Sequence, residues 1–241
     1  MATIITTVLL KPRNAIEDVR ADLALKMILD ARREGHNVLA LDGGSEPERL
    51  APIENCGARI VKQIGQGMGV ARREAIAGAA KFFPNEMVFV WLEPEKVNMI
   101  AHLTAALQTT VASGCSFAFF NRTSLASYPP EQACAYGVVR GVASDLLGVD
   151  LDFMFGPVVF TKFMLHYFLN YDGKYGDKWD SIHIPKLRAI NDGASYRVID
   201  IDYEHPASQT DAEKGDLDYL RKRIEQASLV IRAMVKELRA Y

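Results

Sequence analysis

The chain lacks a dominant charge: 28 Lys and Arg stand against 30 Asp and Glu in 241 residues, a formal net charge of -2. Such a balance leaves no basic stripe for nucleic acid and no cationic patch for a membrane surface. Cysteine is scarce, with residues at 56, 115 and 134 only. That odd, widely spaced set has no C-x-x-C pair and no Cys/His ligand pattern, so it reads as reduced core thiols in a cytoplasmic protein. No run of about 18 apolar residues occurs, which argues against a transmembrane segment. The opening MATIITTVLLKPR has no basic residue ahead of its apolar stretch and reads as a first strand, not a leader. A G-x-x-x-x-G-K-[ST] phosphate loop is also missing.

What is present is enough apolar material, 49% of residues, for one large core or a core with an elaborated flank. Strand-like and helix-like runs alternate through the first half. TIITTVLL (3–10) precedes a helical pattern with Val19, Leu23, Met27 and Ile28 on one face, stopped at Gly35. NVLALD (37–42) follows, then a short helix near 47–56, the strand ARIVKQ, a helix over 68–82, EMVFVWL (86–92), a helix over about 95–112, and SFAFF (116–120). The pattern predicts an α/β fold built on a mostly parallel sheet with helices on both faces. One domain, 1–241, is expected, with a ligand-binding half to residue 120 and a substrate-facing half over 121–210. The first of these later segments is loop then helix, and DFMFGPVVFTK carries a turn at Gly156 and Pro157. From Asp211 to Tyr241 the apolar stripe Leu217, Leu220, Ile224, Ala227, Ile231, Met234 and Leu238 predicts one long helix, packed on the domain or joining two copies as a homo-oligomer.

Ligands of such sheets bind where strands end at their carboxyl edge. Four polar segments stand there: KPRN (11–14), DGGS (42–45), GQGMGVARREAI (65–76) and EPEK (93–96). The glycines at 65, 67 and 69, followed by Arg72 and Arg73, suit a diphosphate, although taken alone a glycine-rich turn with two solvated arginines is the better explanation. Asp42 offers a carboxylate to a ribose hydroxyl or a base N–H, or is a plain turn residue. Glu93 and Glu95, held one proline apart, are hard oxygen ligands that suit Mg²⁺ or Mn²⁺ bridging to phosphate oxygens. Alternatively they complement the dipole of a helix that Pro94 begins.

Taken together, LLKPRN, LDGGS, GQGMGVARREAIAGA and WLEPE resemble, in order, motifs of the GT-A glycosyltransferases that use nucleotide-diphospho-sugars, in particular the large family-two-like group. The resemblance runs over roughly residues 3–210. It implies that Lys11, Pro12, Arg13, Asp42 and Gly43 hold the nucleoside, that Gly67, Gly69, Arg72 and Arg73 hold the diphosphate, and that Glu93 and Glu95 replace the family's metal-binding D-x-D. Both side chains are one methylene longer than that motif, and Arg73 stands where the family often has asparagine. By the same resemblance Gly156 lies near the acceptor, Asp177 or Asp180 serves as catalytic base, Trp179 between them stacks on a sugar, and His205 adds a metal ligand. Residue by residue, Asp177 and Asp180 also fit a charged surface loop, and His205 a hydrogen-bonded loop histidine. His36, His102, His166 and His183 have no partner by spacing. The implied activity is transfer of a sugar to a hydroxyl-bearing acceptor with Mn²⁺ or Mg²⁺. The rivals are a sugar-phosphate nucleotidyltransferase, disfavoured because no glycine follows the first strand, and a catalytically silent domain of the same fold.

Overall fold

β-Branched and aromatic residues gather in short runs, and each run becomes a strand because such side chains fill a pleated, buried surface. The strands are β1 (Thr3–Val8), β2 (Asn37–Asp42), β3 (Arg59–Lys62), β4 (Val88–Trp91), β5 (Phe117–Arg122), β6 (Val158–Thr161) and β7 (Tyr196–Ile201). The structure, a computed structural model, describes residues 1–11 and 15–240. Pro12 and Arg13, assigned above to the nucleotide loop, lie outside the described residues.

The seven strands form one sheet in the order β3-β2-β1-β4-β6-β5-β7. β1 pairs parallel with β2 and β4, β2 with β3, and β5 with β7, whereas β6 runs against both its neighbours, β4 and β5. β6 is the strand that the sequence pattern did not separate from the turn at Gly156 and Pro157. Four residues long, it is recognisable only by its partners on either side. All side chains of β4 and β5 are buried, in successive positions that point to opposite faces, so both faces of the sheet are covered. Phe89, Phe117, Phe160 and Phe168 meet there, with ring centroids 4.8 Å apart for the last two.

The helices are α1 (Ala15–Arg33), α2 (Pro47–Asn55), α3 (Met68–Phe82), α4 (Ile100–Ser113), α5 (Pro130–Leu147), α6 (Leu165–Leu169), α7 (Asp180–Asn191), α8 (Ala207–Glu213) and α9 (Leu217–Leu238). α4 starts later than the apolar spacing suggests, because Glu93 to Lys96 fold as a turn in which the Lys96 N–H donates to the Glu93 carbonyl at 3.0 Å. The expected single terminal helix is two, broken at Gly215, whose φ of 78° no helix accepts. Asp216 then caps α9 by accepting from the N–H groups of Asp218 and Tyr219. The stripe of α9 is used within the chain. Ala227, Val230, Ala233 and Met234 are buried, and the helix packs on α5 and α7, while Leu217 and Ile224 are exposed. Of the three thiols only Cys115 is buried; Cys56 is half-buried and Cys134 exposed. Among the described residues no helix is long and apolar enough to cross a membrane.

One ion pair lies deep in this core. Arg122, at the end of β5, donates through Nε and Nη2 to both Asp152 oxygens at 2.6 and 2.9 Å, and the two side chains are 0% and 2% exposed. The rings of Tyr128, Tyr136 and Phe155 surround the guanidinium at 4.8, 4.5 and 4.6 Å. The Asn121 side chain accepts from the Asp152 N–H. These contacts anchor the segment that leads to Gly156 and β6. Removing one partner of a buried pair strands the other charge, whereas an exposed pair contributes little. Asp152→Ala should therefore cost about 3–5 kcal/mol in urea unfolding. Asp150→Ala, which breaks the exposed pair with Arg140, should cost under about 1 kcal/mol.

Candidate functional site

A cavity of about 330 Å³ opens where β1 and β4 end. Thr7, Leu9 and Leu10 from the end of β1 form one wall, the Glu93–Lys96 turn a second, Met154–Gly156 a third, and α1 and α9 complete it. Its basic lining residues are Arg20, Arg72, Lys96, Lys222 and Arg223. The acidic ones are Glu17, Glu93 and Glu95, so the lining carries an excess of two positive charges (five less three). A second groove of about 460 Å³ shares Met68, Trp179 and Lys222 with it and continues past Gly67, Asp177 and Lys178.

The two glutamates of the EPE turn occupy different environments. Glu95 is ion-paired with Arg20 at 2.7 Å, and Arg20 also reaches Glu213 of α8 at 3.7 Å. Burial would raise the Glu95 carboxyl, yet Arg20 and Lys96 hold it well below the usual carboxylate range. Glu93 accepts from the Trp91 indole N–H at 3.3 Å through Oε1, and its Oε2 is buried without a partner. It attracts Arg72 and Lys186, two cations that burial pulls down, Lys186 to about 8. Gly156 lies directly against this carboxylate, and a Cβ there would collide with it. Glycine at 156 is thus required by the close approach of the third wall to Glu93.

His205 is not brought to the glutamates. Its Nδ1 is hydrogen-bonded to the Thr210 hydroxyl at 2.8 Å and its ring packs on Tyr128 at 4.2 Å. Burial, with Lys96 and Arg223 nearby, pushes its pKa down to about 2. Among the described residues no three His, Cys, Asp or Glu side chains stand together as a metal cluster. The expected triad of Glu93, Glu95 and His205 is therefore not assembled: Arg20 holds one member and Thr210 and Tyr128 hold another.

The two aspartates expected as bases are also committed. Asp177 accepts from both terminal guanidinium nitrogens of Arg73, on Oδ1 and Oδ2, a pairing that an acceptor hydroxyl or a phosphate would have to share or displace. Asp180 is fully buried, accepting from the N–H groups of Asp177 and Lys178 and from the Tyr171 hydroxyl. It holds the start of α7. Gly69, expected at the diphosphate, donates its N–H to the Asp177 carbonyl at 2.8 Å, and a Cβ would strike the Asp177 side chain. Part of the glycine string therefore serves packing. Asp42 accepts from the Ser45 N–H at 2.8 Å, and the Gly43 N–H donates to the Val8 carbonyl, so this segment forms a turn at the end of β2 that is held against the end of β1. Lys11 is exposed beside it.

Of the expected residues, the cavity collects Arg72, Glu93, Glu95, Gly156 and Trp179; Gly67 and Asp177 border the groove. Arg72 donates to the Lys178 carbonyl at 2.8 Å and to the Ser181 hydroxyl at 3.2 Å, and sits over Trp91. Arg20, Lys96, Lys222, Arg223 and Gln226 were not anticipated. The charges interrupting the apolar stripe of α9 were the available signal, since Lys222, Arg223 and Gln226 share one side of that helix.

The strand order, the antiparallel β6 and the cavity at the strand ends define a GT-A fold. No protein-family model and no curated protein matches the chain. Solved structures do match its fold, over 99% of its length. Glucosyl-3-phosphoglycerate synthase from Mycobacterium tuberculosis, in complex with Mn²⁺, uridine diphosphate and phosphoglyceric acid, superposes with a TM-score of 0.67 at 12% identity, with 78% of that chain covered. The same synthase with Mg²⁺ and uridine diphosphate gives a TM-score of 0.63 at 11% identity over 99% of this chain and 79% of that one. A mycobacterial protein gives 0.65 at 14%, covering 99% and 74%.

Two outcomes follow from this geometry. Gly156→Ala should displace Glu93 and lower stability by about 1–3 kcal/mol, read as a lower urea midpoint. Because the folded pKa of His205 lies below its unfolded value of 6.5, the unfolded chain binds a proton there that the folded chain does not. Stability should fall as pH drops through about 6.5 towards 5, on the order of 1 kcal/mol per pH unit. His205→Phe should reduce that slope by its own share in denaturant melts at pH 7, 6 and 5, leaving the part due to His183 and His36, whose pKa values burial also lowers.

Proposed function

We propose that this chain is a GT-A glycosyltransferase that moves a sugar from a nucleotide-diphospho-sugar to the hydroxyl of a small acceptor. The observation that carries the reading is the cavity at the carboxyl ends of β1 and β4, whose lining has more cations than carboxylates. A diphosphate is the ligand that such a site compensates. Support comes from the structural neighbours, which hold uridine diphosphate with Mn²⁺ or Mg²⁺. In this reading the nucleoside lies towards Lys11, Asp42 and Gly43, the diphosphate towards Arg72 and Gly67, and the acceptor beside Trp179, which the groove and the cavity share, and Gly156 of the cavity. In the neighbour of known activity the acceptor is phosphoglyceric acid.

A divalent cation fits this site through one carboxylate. Glu93 Oε2 is buried and has no partner, and Mg²⁺ commonly takes one or two carboxylates plus substrate phosphates. Glu93 would hold the ion; Glu95 stays with Arg20. When bound, the ion supplies Lewis-acid stabilisation of the leaving diphosphate. The chain's own part is electrostatic: Arg72, fixed by the Lys178 carbonyl and the Ser181 hydroxyl, is already oriented where negative charge grows. Trp179 and Phe155 exclude water from that side of the cavity.

The test is nucleoside diphosphate release from UDP-, GDP-, ADP- and CDP-sugars with Mn²⁺, run beside a thermal-shift screen of the same ligands. A donor at about 100 times its Kd should stabilise the fold by about 2.7 kcal/mol. One donor should both shift and turn over, and Glu93→Gln should cut the Mn²⁺-dependent rate by about tenfold or more. Pyrophosphate release from a nucleoside triphosphate and a sugar phosphate would support nucleotidyl transfer instead. Absence of any shift or turnover would leave a silent domain of this fold.

A further inference from the structure

Lys96 is the residue the proposed reaction leaves without a task, and its surroundings are unusual for a lysine. It closes the turn after β4, is 7% exposed, and borders the cavity. Its Nζ lies 5.6 Å from the ring centre of Tyr128, 5.7 Å from that of Tyr203 and 5.8 Å from that of Phe155. Three aromatic faces at that range hold an ammonium in place and keep it charged. Among the described residues it makes no ion pair, because the neighbouring Glu95 carboxylate is taken by Arg20. Lys222 also borders this cavity and lacks an ion pair among the described residues, but it is half-buried, its Nζ stands 5.1 Å from one ring centre, that of Tyr219, and burial beside Arg20 and Arg223 lowers its pKa to about 8. The remaining cations differ. Arg20 and Arg223 are spent on Glu95 and Glu213.

A buried ammonium without a counter-ion is costly to a fold, and ring faces offset only part of that cost. An anion entering the cavity would offset the rest. Pyrophosphate groups are suited to it, since their oxygens accept from several cations at once and Lys serves as a compact point charge for phosphate. We infer that Lys96 and Lys222, with Arg72, form a diphosphate-binding site built from protein cations, so that the chain binds a nucleoside diphosphate without a divalent cation. The inference rests on the reading of the cavity as the donor site. It concerns affinity alone and leaves the ion at Glu93 to the transfer step.

The experiment is calorimetric titration of the full chain with inorganic pyrophosphate, UDP and uridine, in EDTA and again in Mn²⁺. The wild-type protein should bind pyrophosphate and UDP in EDTA. Lys96→Met, which keeps the length and apolar body of the side chain, should weaken both by about tenfold or more and leave uridine binding unchanged. A merely structural role would weaken all three ligands together. Lys222→Met lies on the outer side of the cavity and should reproduce the pattern, which keeps the test decisive if the Lys96 variant folds poorly. Loss of UDP and pyrophosphate binding in EDTA for the wild-type protein would overturn the inference, as would unchanged pyrophosphate affinity in both variants. Lysine-dependent binding of pyrophosphate with no binding of UDP or any other nucleotide, with or without Mn²⁺, would uphold the anion site and sink the glycosyltransferase reading instead.

Discussion

Carboxylates that end a buried strand must be compensated, because an unpaired charge in a low-dielectric interior costs several kcal/mol. That requirement organises the whole carboxyl edge of the sheet. Glu95 is answered by Arg20 from α1; Arg20 in turn faces Glu213 from α8, and Glu213 faces Arg223 from α9. Three helices spread over the length of the chain are thus tied to one turn. Glu93 is placed between Arg72 and Lys186, with the Trp91 indole as its hydrogen-bond donor. Neither carboxylate stands in a surplus of negative charge. A site of this kind presents itself to anions first and to a metal second.

The third wall of the cavity depends on a different buried pair. Arg122 and Asp152 hold the segment before β6, and β6 enters the sheet antiparallel between β4 and β5, which brings Gly156 against Glu93. The aromatic residues that surround Arg122 are partly those that surround Lys96, since Tyr128 and Phe155 face both. A single cluster of rings therefore supports a structural cation on one side and a cavity-facing one on the other. Chemistry at such a site needs little covalent participation from the protein. In the proposed transfer, charge that builds on a leaving diphosphate would meet groups whose positions are set before the reaction begins.

The fold was largely legible because its signals are local. Runs such as TIITTV and VFVW are short, β-branched or aromatic, and bounded by turn residues, and the helices between them carry apolar residues at helical spacing. β6 escaped because four residues beside a Gly-Pro turn hold no period of their own, and the break at Gly215 because a continuing apolar stripe outweighed one glycine. The candidate site was legible in part. Glu93 follows a strand, and Arg72 and Trp179 stand where helices open, so position alone suggests a ligand; Gly156, in the turn before β6, was placed by resemblance. Lys222 and Arg223 have no such position, and Lys96, although it closes the strand-end segment EPEK, has no signal of its own, since a cation in a helix or turn is usually solvated and only its neighbours distinguish it.

By itself, then, the amino-acid sequence determined the strand and helix succession, the parallel character of most of the sheet, and the set of polar segments that meet at its carboxyl edge, because each depends on residues near one another along the chain. Tertiary structure alone decided which of those polar groups are free. Asp177 is occupied by Arg73, Asp180 by backbone N–H groups and Tyr171, Glu95 by Arg20 and His205 by Thr210. Arg73 and Arg20 come from far off in the chain, and whether a carboxylate is a ligand, a base or a brace depends on what the packed core sets beside it.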